Sequence, residues 1–357
     1  MNRILITGIG GSAGLGFVNS LKDSGEECYI IGCDSDKYSL ERAKADEKYL
    51  VPLCRDKNYL KVLKKIIRKT EPDLIYSQVD VEIEVLSENR EIFEKMGVKT
   101  FWPSKKVVKI CQNKHLSYLA WKKAGMTVPN TILIDNGDDL KKAIRKFGLP
   151  IWIREIKGAF GKGSLPANSF EEAAIWIDAH KGWGKFSAAE LLDAERMVTW
   201  QSIWYKGNLI IAQSRKRLYW EFANRVPSGV TGLTGAGITV KDKLVDKLAI
   251  KAIKAIDKKP HGIFSVDFTY NKKGIPNPTE INIGRFFTTH YFFTKAGLNM
   301  PYIYVKLALK GEIPKIKNKI NPLKAGLVWI RGLDFEPILT TIDHLKLYEK
   351  KLKALTD

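Results

Sequence analysis

Two carboxylates and an amide in the C-terminal part of the chain have the residue types and the spacing of a metal site. Asp267 lies in a stretch that alternates apolar and polar residues, and Glu280 and Asn282 lie in a second extended stretch. The residues Asn271 to Gly274 predict a turn, so the two stretches should pair as an antiparallel hairpin. The three side chains would then face one point, and such hard oxygen ligands suit Mg²⁺, or Mn²⁺. The alternative is an ordinary surface ribbon with solvated acids.

A second group of residues that could bind a ligand lies in the middle of the chain. The apolar strand pattern of residues 151–153 ends in Arg154, and a glycine-rich loop with two lysines follows. Glycines let backbone N–H groups turn toward oxygens and the cations offset negative charge, so this segment predicts a mobile cover for a triphosphate. The loop lacks the G-x-x-x-x-G-K-[ST] spacing of a P-loop. We expect the phosphate contacts to come from Lys157, Gly161, Lys162, Gly163 and Ser164.

A third glycine-rich stretch, Gly8 to Gly16, follows the first strand, and Asp34 ends the second strand. Close approach of a glycine backbone to phosphate, with an acid to hold a ribose, would make a dinucleotide-binding loop. The spacing departs from G-x-G-x-x-G, and similar turns open many sheets that bind no nucleotide. An NAD(P)-dependent oxidoreductase with a Rossmann domain therefore stays as one alternative.

These groups must be positioned by a series of short strands and helices. Apolar runs at residues 3–7, 28–33, 73–76 and 98–101 alternate with helical patterns near residues 17–22, 59–69 and 82–95. Such a βαβ series predicts a small parallel sheet with ligand-facing loops at the carboxyl ends of its strands. Later helical patterns cover residues 106–123, 138–147, 169–179, 245–256 and 344–353, and strand patterns cover residues 131–134, 151–154, 186–192, 197–205 and 209–215. The fold class is therefore α/β, with an α+β part after it.

Composition excludes several classes of protein. The 357 residues are 45% hydrophobic and 27% charged, which is typical of a globular chain with two or three domains. No apolar run approaches the roughly 20 residues of a membrane span. The four cysteines fit reduced thiols better than a disulfide framework, and the N-terminal sequence enters a strand without an export signal. We therefore expect a cytoplasmic protein.

The net charge of +20 has two interpretations. It could mark a basic nucleic-acid-binding protein, or it could reflect the lysine-rich composition of a thermophile or an AT-rich genome. Lysines are spread through helical patterns together with acids, which favours the second interpretation. In either case the positive field would attract anionic small molecules.

The glycine loop and the acidic hairpin, in this order after a βαβ series, resemble the ATP-grasp ligases, and among them the large subunit of carbamoyl phosphate synthetase. The family pattern is an acid or amide on one strand and Glu-x-Asn-x-Arg on the next, whereas here one extra residue precedes Arg285. The resemblance covers about residues 3–310. It implies a Rossmann-like pre-ATP-grasp domain (1–104), a two-lobed α+β ATP-grasp domain (105–325) with a lid at about 127–190, and a C-terminal strand and helix (326–357).

The resemblance also implies roles for individual residues. Lys114 and Arg154 would contact the phosphates of ATP, Asp267, Glu280 and Asn282 would hold Mg²⁺, and Arg285 would stabilise an acyl phosphate. The backbone of Glu190, Leu191 and Leu192 would bond the adenine edge, with Glu195 on the ribose. Gly10, Gly11 and Ser12, together with Arg217 and Arg225, would face the acceptor.

The activity that the resemblance implies is ADP-forming ligation. A small-molecule carboxylate would be converted with ATP and Mg²⁺ to an acyl phosphate, which an amine or another nucleophile attacks. Arg154 and Arg285 would be the catalytic residues. The family further suggests a homo-oligomer, without a membrane partner.

Overall fold

The structure is a computed structural model that describes residues 1–158, 161, 163–332, 338–344 and 346, and of residues 194, 195 and 338 the backbone alone. Over these ranges the strands form three sheets, with four, seven and four strands. The predicted helix at residues 344–353 lies largely outside the described residues.

The N-terminal sheet is parallel and has the strand order β3-β2-β1-β4. Its β1 is buried on both faces, since Ile4 and Ile6 pack with α1 whereas Leu5 packs with α3. Cover on both faces is what a parallel sheet requires. The elements are β1 (Asn2–Thr7), α1 (Ser12–Lys22), β2 (Cys28–Asp34), α2 (Lys37–Arg42), β3 (Glu47–Leu50), α3 (Tyr59–Thr70), β4 (Leu74–Ser77), α4 (Asp80–Glu88) and α5 (Arg90–Lys95).

Two features of this sheet differ from the sequence prediction. The edge strand β3 was not predicted, because it is short and half exposed and so lacks an apolar run. Residues 98–101, predicted as a strand, form only an isolated bridge between Leu74 and Lys99. The predicted helix at residues 82–95 is divided at Asn89 into α4 and α5.

The predicted helix at residues 106–123 is also two helices, α6 (Lys105–Cys111) and α7 (Lys114–Lys123). Asn113 caps α7, because its side-chain oxygen accepts hydrogen bonds from the backbone N–H groups of His115 and Leu116. The break turns the chain so that Lys114 is the first residue of α7.

The second sheet, β5-β8-β6-β7, is antiparallel and lies within residues 127–190, the range predicted for the lid. Its apolar face packs on two helices through Leu140, Ala143, Ile151, Ile153 and Phe186. The elements are β5 (Thr131–Ile134), α8 (Gly137–Phe147), β6 (Ile151–Glu155), β7 (Leu165–Ala167), α9 (Phe170–Ala179) and β8 (Phe186–Glu190).

The third sheet has the order β13-β12-β9-β10-β11-β14-β15 and is antiparallel throughout. One face packs on α10 and α7 through Trp200, Phe264 and Val266. The opposite face carries polar side chains. The elements are β9 (Asp193–Tyr205), β10 (Asn208–Trp220), a 3₁₀ turn (Ala223–Arg225), β11 (Thr234–Val240), α10 (Lys243–Ile256), β12 (Gly262–Tyr270), β13 (Pro276–Ile283), α11 (Tyr291–Lys295), α12 (Met300–Lys310), β14 (Leu327–Ile330) and β15 (Ile338–Thr341).

The N-terminal sheet docks on the third sheet through aromatic side chains. Phe17 and Tyr76 stack at 3.9 Å between ring centroids and contact Phe286 and Tyr304. Nearby, His290 is fully buried, 5.1 Å from the Phe286 ring. Over the described ranges, no helix combines the length and apolar composition that crossing a bilayer demands.

The burial of His290 predicts a pH dependence of stability. Burial lowers the pKa of His290 to about 4, whereas an unfolded histidine titrates near 6.5. The unfolded chain therefore binds an extra proton between these values, so this stabilisation is complete above about pH 6.5 and is lost as the pH falls towards 4. In urea unfolding at pH 7 and pH 5, His290→Gln should reduce the pH slope of the unfolding free energy by up to about 1.4 kcal/mol per pH unit. Equal slopes for the two proteins would contradict the burial of this ring.

Candidate active site

The acidic hairpin is formed as the sequence predicts. Asp267 on β12 lies directly opposite Glu280 on β13, and Ser265 lies opposite Asn282. Residues opposite each other in an antiparallel pair share one face, so the two carboxylates and the amide are neighbours. The Asn282 amide donates to Asp267 Oδ2 at 3.0 Å.

The carboxylates continue into a row of polar side chains across the sheet. Thr199 on β9 pairs with Asp267, and Arg215 on β10 pairs with Thr199. The Thr199 hydroxyl donates to Asp267 Oδ1 at 2.5 Å and accepts from Arg215 Nη2 at 3.2 Å. Thr199 thus connects the carboxylate to the guanidinium. This row (Glu280, Asp267, Thr199, Arg215) is the floor of a cleft between the second and third sheets.

Two cations lie at the Glu280 end of the cleft. Lys114 Nζ lies 3.3 Å from Glu280 Oε2 and donates to the Gly158 carbonyl at 2.7 Å. Arg154 Nη2 donates to the Thr279 carbonyl at 3.2 Å. Both side chains therefore point at the hairpin, from α7 and from β6.

The two carboxylates differ in how well they are neutralised. Burial works to raise the pKa of Glu280, but Lys114 and Arg154 outweigh it and the pKa is lowered. Burial raises the pKa of Asp267 although Arg217 opposes it, and the charge of Glu280 raises it further. Asp267 is therefore compensated by nearby positive charge less fully than Glu280 is.

Arg285 connects the hairpin to the N-terminal sheet. Its Nε and Nη2 donate to the two carboxylate oxygens of Asp80, at 2.5 and 2.7 Å, and Nη2 also donates to Asn282 Oδ1 at 2.8 Å. Burial works to lower the pKa of Arg285, but Asp80 outweighs it and the pKa is raised. Despite the extra residue before it, Arg285 lines the cleft.

The described part of the glycine loop covers the cleft. Gly161 has φ +70°, and a Cβ there would lie 2.1 Å from the Val230 carbonyl oxygen, so only glycine allows this close approach. Gly163 and Ser164 belong to the same loop. Lys157 Nζ reaches out of the cleft to Glu84, 3.4 Å away. The predicted phosphate contact Lys162 lies outside the described residues.

The residues predicted to hold adenine lie at the other wall. Glu190, Leu191 and Leu192 line the cleft together with Trp152. The Glu190 carboxylate accepts from the backbone N–H and the side-chain amide of Asn130, at 3.1 and 2.8 Å. The side chain of Glu195, the predicted ribose contact, is outside the described part of the chain.

The residues predicted to face the acceptor do not all line the cleft. Arg217 lines the cleft, whereas Arg225 is exposed outside its lining, with its guanidinium 5.2 Å from the Phe222 ring. Gly10, Gly11 and Ser12 also lie outside the lining. Their assignment to the acceptor remains a prediction.

The N-terminal glycine loop is closed by its own contacts. The Gly10 N–H donates to Asp34 Oδ2 at 3.0 Å, and a Cβ on Gly10 would lie 1.9 Å from the Ser39 carbonyl oxygen. Asp34 also accepts from the Asp36 N–H at 3.1 Å and is only 8% exposed. The acid that would hold a ribose is thus occupied, and the dinucleotide interpretation has no support.

Comparison of the sequence with known proteins gives a family model and several curated relatives. The family model described as "PylC-like, N-terminal domain" matches residues 4–101. A formate-dependent phosphoribosylglycinamide formyltransferase of Bacteroides thetaiotaomicron is 28% identical over 173 residues, which are 48% of this chain and 42% of that protein. The carbamoyl phosphate synthase large chain of Thermotoga maritima is 26% identical over 260 residues, 67% of this chain and 22% of that one. This chain spans less than half the length of these curated relatives.

Solved structures match nearly the whole chain. Biotin carboxylase from Campylobacter jejuni, in a β,γ-ATP complex, superposes with a TM-score of 0.70 at 19% identity, over 92% of this chain and 75% of that one. N5-carboxyaminoimidazole synthetase from Staphylococcus aureus, complexed with ADP, gives 0.71 at 18% identity, over 93% and 82%. The chain therefore has the fold of ATP-grasp enzymes. The fold class expected from the sequence is therefore confirmed.

The cleft and its surroundings contain residues to which the sequence prediction gave no role there. Asp80 and Arg215 are two of these residues. The alternation along β10 could have separated Arg215 and Arg217, which face the cleft, from Lys216. Thr199 and Arg331 gave no local signal, because their place depends on which strands pair.

The donor set of the hairpin fits a divalent cation. Over the described ranges, no three or more histidine, cysteine, aspartate or glutamate side chains form a metal-binding group, so a site here must combine Asp267 and Glu280 with the amide of Asn282. All three offer oxygen atoms, the ligands that Mg²⁺ prefers. Repulsion between two buried carboxylates also favours a cation between them.

The Asp80–Arg285 pair predicts a difference between two acids on the same helix. Asp80→Asn should lower the unfolding free energy by about 1–3 kcal/mol, because it leaves the buried guanidinium of Arg285 without its charged partner. Glu84→Gln, four residues later on α4, breaks only the half-exposed pair with Lys157 and should cost between 0 and about 1 kcal/mol. Urea unfolding of both variants measures the difference. An equal loss in the two would mean that the Asp80–Arg285 contact contributes little.

Proposed function

We propose that this ATP-grasp protein is an ATP- and Mg²⁺-dependent ligase that joins a small-molecule carboxylate to an amine or another nucleophile, with release of ADP and phosphate. The observation that carries the proposal is that Lys114 and Arg154 face the Asp267–Glu280 pair in one cleft, beneath a glycine loop. The ligases and carboxylases among its relatives support the reaction class, as does the ATP or ADP named in the two structures above.

Each end of the cleft has its own task in this proposal. Leu191 and Leu192 offer backbone groups and an apolar wall to the adenine, together with Glu190. Lys114 and Arg154 offset the negative charge of the phosphates, and the loop from Lys157 to Ser164 covers them and excludes water. Glu195 and Lys162 keep their predicted roles on the ribose and on the phosphates.

Asp267, Glu280 and Asn282 would hold Mg²⁺, which when bound neutralises phosphate charge. Arg285 reaches the same place from the hairpin, with Asp80 fixing the orientation of its guanidinium. It would stabilise the negative charge of the activated carboxylate. The reaction needs no covalent nucleophile from the protein, because positioning and charge stabilisation supply the rate.

The two alternatives considered from the sequence, an NAD(P)-dependent oxidoreductase and a nucleic-acid-binding protein, are not supported. The dinucleotide loop is closed by Asp34 and Ser39, and the relatives named above are not NAD-dependent oxidoreductases or nucleic-acid-binding proteins. We further propose small-molecule substrates, a cytoplasmic location and a homo-oligomer. The division into domains at residues 104 and 325 belongs to the same proposal.

The reaction class is tested by the nucleotide product. The protein is incubated with ATP, Mg²⁺ and pools of carboxylic acids and amines, and nucleotides and product masses are measured. We expect ADP release that depends on an acid in the pool and that EDTA abolishes. Release of AMP would contradict activation through an acyl phosphate.

The metal site is tested by removing one carboxylate. Glu280→Gln keeps the shape of the side chain but removes its charge, so Mg²⁺-dependent ADP release should fall at least about a hundredfold, as for other removed charge-stabilising groups. The matched control is Glu171→Gln, an exposed acid in the first turn of α9, which should retain activity. Glu280 has no part in the site if its variant turns over at the rate of the control.

A further inference from the structure

Arg215 and Arg217 at one end of the cleft, and Arg331 next to them outside its lining, are not used by the proposed reaction. Arg215 Nη1 and Arg217 Nε donate to the Thr234 hydroxyl, at 3.0 and 3.1 Å. Arg331 Nε donates to the Thr234 carbonyl oxygen at 2.9 Å. We call Arg215, Arg217 and Arg331 the arginine cluster. Three guanidinium groups thus converge on one threonine.

The arginine cluster lacks a carboxylate partner. Within the described residues, no carboxylate oxygen lies within 4.0 Å of any of its nitrogen atoms, although Asp267 and Glu221 act on it from farther away. Arg215 is 2% exposed, and its Nε has no hydrogen-bond partner. Burial lowers the pKa of Arg215 well below its usual range, and the charges of Arg217 and Arg331 lower it further. Buried like charges are costly unless an anion compensates them.

The cluster lies away from the cations that face the hairpin. In the floor row, Lys114 pairs with Glu280 at one end, and Arg215 stands at the other end beyond Asp267 and Thr199. Two strand spacings of about 4.8 Å place the backbone of Arg215 about 10 Å from that of Asp267. An anion here would therefore be separate from a carboxylate held beside Asp267 and Arg285.

The cluster is also held in place by aromatic rings. The Arg215 guanidinium lies 4.7 Å from the Phe287 ring centroid, and that of Arg217 lies 3.4 Å from the Trp220 ring centroid. Arg331 Nη1 donates to the Thr288 carbonyl at 3.2 Å. Stacked guanidinium groups lose little freedom on binding and present N–H groups suited to carboxylate or phosphate oxygens.

We propose that the arginine cluster binds a second anionic group of the carboxylic acid substrate, the acceptor of the phosphoryl group. This second group is a carboxylate or a phosphate distinct from the carboxylate that is activated. This inference rests on the proposed ligase function and narrows its substrate class. The acceptor is then a small acid with at least two anionic groups. Simple monocarboxylic acids, which leave the cluster uncompensated, are poor substrates.

Two other anions could fill the cluster. One is a carboxylate of this chain, since Asp334 and Glu336, which follow Arg331 in the sequence, lie outside the described residues. The other is the terminal phosphate of the nucleotide. Both are separated from the proposal by titrating the whole protein with small anions, with either MgADP or a non-hydrolysable analogue of MgATP bound.

The experiment measures the thermal melting of the full chain, saturated with MgADP, in rising concentrations of inorganic phosphate or succinate at constant ionic strength set by chloride. A ligand that binds the folded protein raises the melting temperature by mass action. We expect at least one of the two anions to stabilise the protein above the chloride baseline. Phosphate alone would indicate a phosphorylated acceptor, and succinate alone would indicate a dicarboxylate.

The variant for the test is Arg217→Gln, which should weaken the apparent affinity for that anion at least about tenfold, because a charged hydrogen-bonding group is lost. Its matched control is Arg196→Gln, since Arg196 also stacks on a ring, at 4.7 Å from the Tyr270 centroid, but is exposed and outside the cleft. The control should keep the wild-type affinity. If Arg217→Gln is poorly folded, Arg217→Lys keeps the charge without the planar guanidinium and should weaken binding by a smaller factor.

The inference is overturned if neither anion stabilises the wild-type protein, if Arg196→Gln loses as much affinity as Arg217→Gln, or if the anion stabilises the MgADP complex but not the complex with a non-hydrolysable analogue of MgATP. The last result would assign the cluster to the nucleotide. These failures differ from failure of the ligase proposal, which would appear as an absence of MgADP binding before any anion is added.

Discussion

Charge balance within a buried cleft is the constraint on which this structure depends. Charged side chains surround the polar face of the third sheet, and removing charge from water is costly unless an opposite charge is near. Lys114 neutralises Glu280, and Asp80 neutralises Arg285. Among the described residues, the short-range partners of Asp267 and the arginine cluster are uncharged: hydroxyl, amide, carbonyl and thioether groups and aromatic rings. The protein's own groups therefore balance one end of the cleft and leave the rest to ligands.

That balance is made by parts of the chain that are far apart in sequence. Lys114 begins α7, Arg154 lies near the end of β6 in the second sheet, and Asp80 begins α4, which follows the last strand of the N-terminal sheet. The aromatic contacts of Phe17 and Tyr76 hold the N-terminal sheet against the hairpin, so that Asp80 can reach Arg285 across 205 residues of sequence. The docking of the N-terminal sheet thus contributes to the orientation of a side chain in the cleft.

Local sequence patterns predict several of the helices and strands, but not all of them. The hairpin of Asp267 and Glu280 follows from period-two alternation around a turn, and the strand ending in Arg154 follows from an apolar run. The division between α6 and α7 was missed, although the Asn113 cap is a recognised start signal, because the apolar pattern continues through it. The edge strand β3 was missed because edge strands carry few apolar residues. Val98 and Phe101 suggested a strand, but they pack in the core from a segment that forms only an isolated bridge.

The sequence by itself determined the fold class, the paired acids and the cations that face them. These depend on alternation, turns and residue types within short segments. Only the tertiary structure decided that Thr199 and Arg215 continue the row of Asp267, that Asp80 holds Arg285, and that Arg331 joins Arg215 and Arg217 at Thr234. Each of these contacts depends on strand order or domain docking, which is set by the burial of surfaces distant in sequence and leaves no periodic trace near the residues concerned.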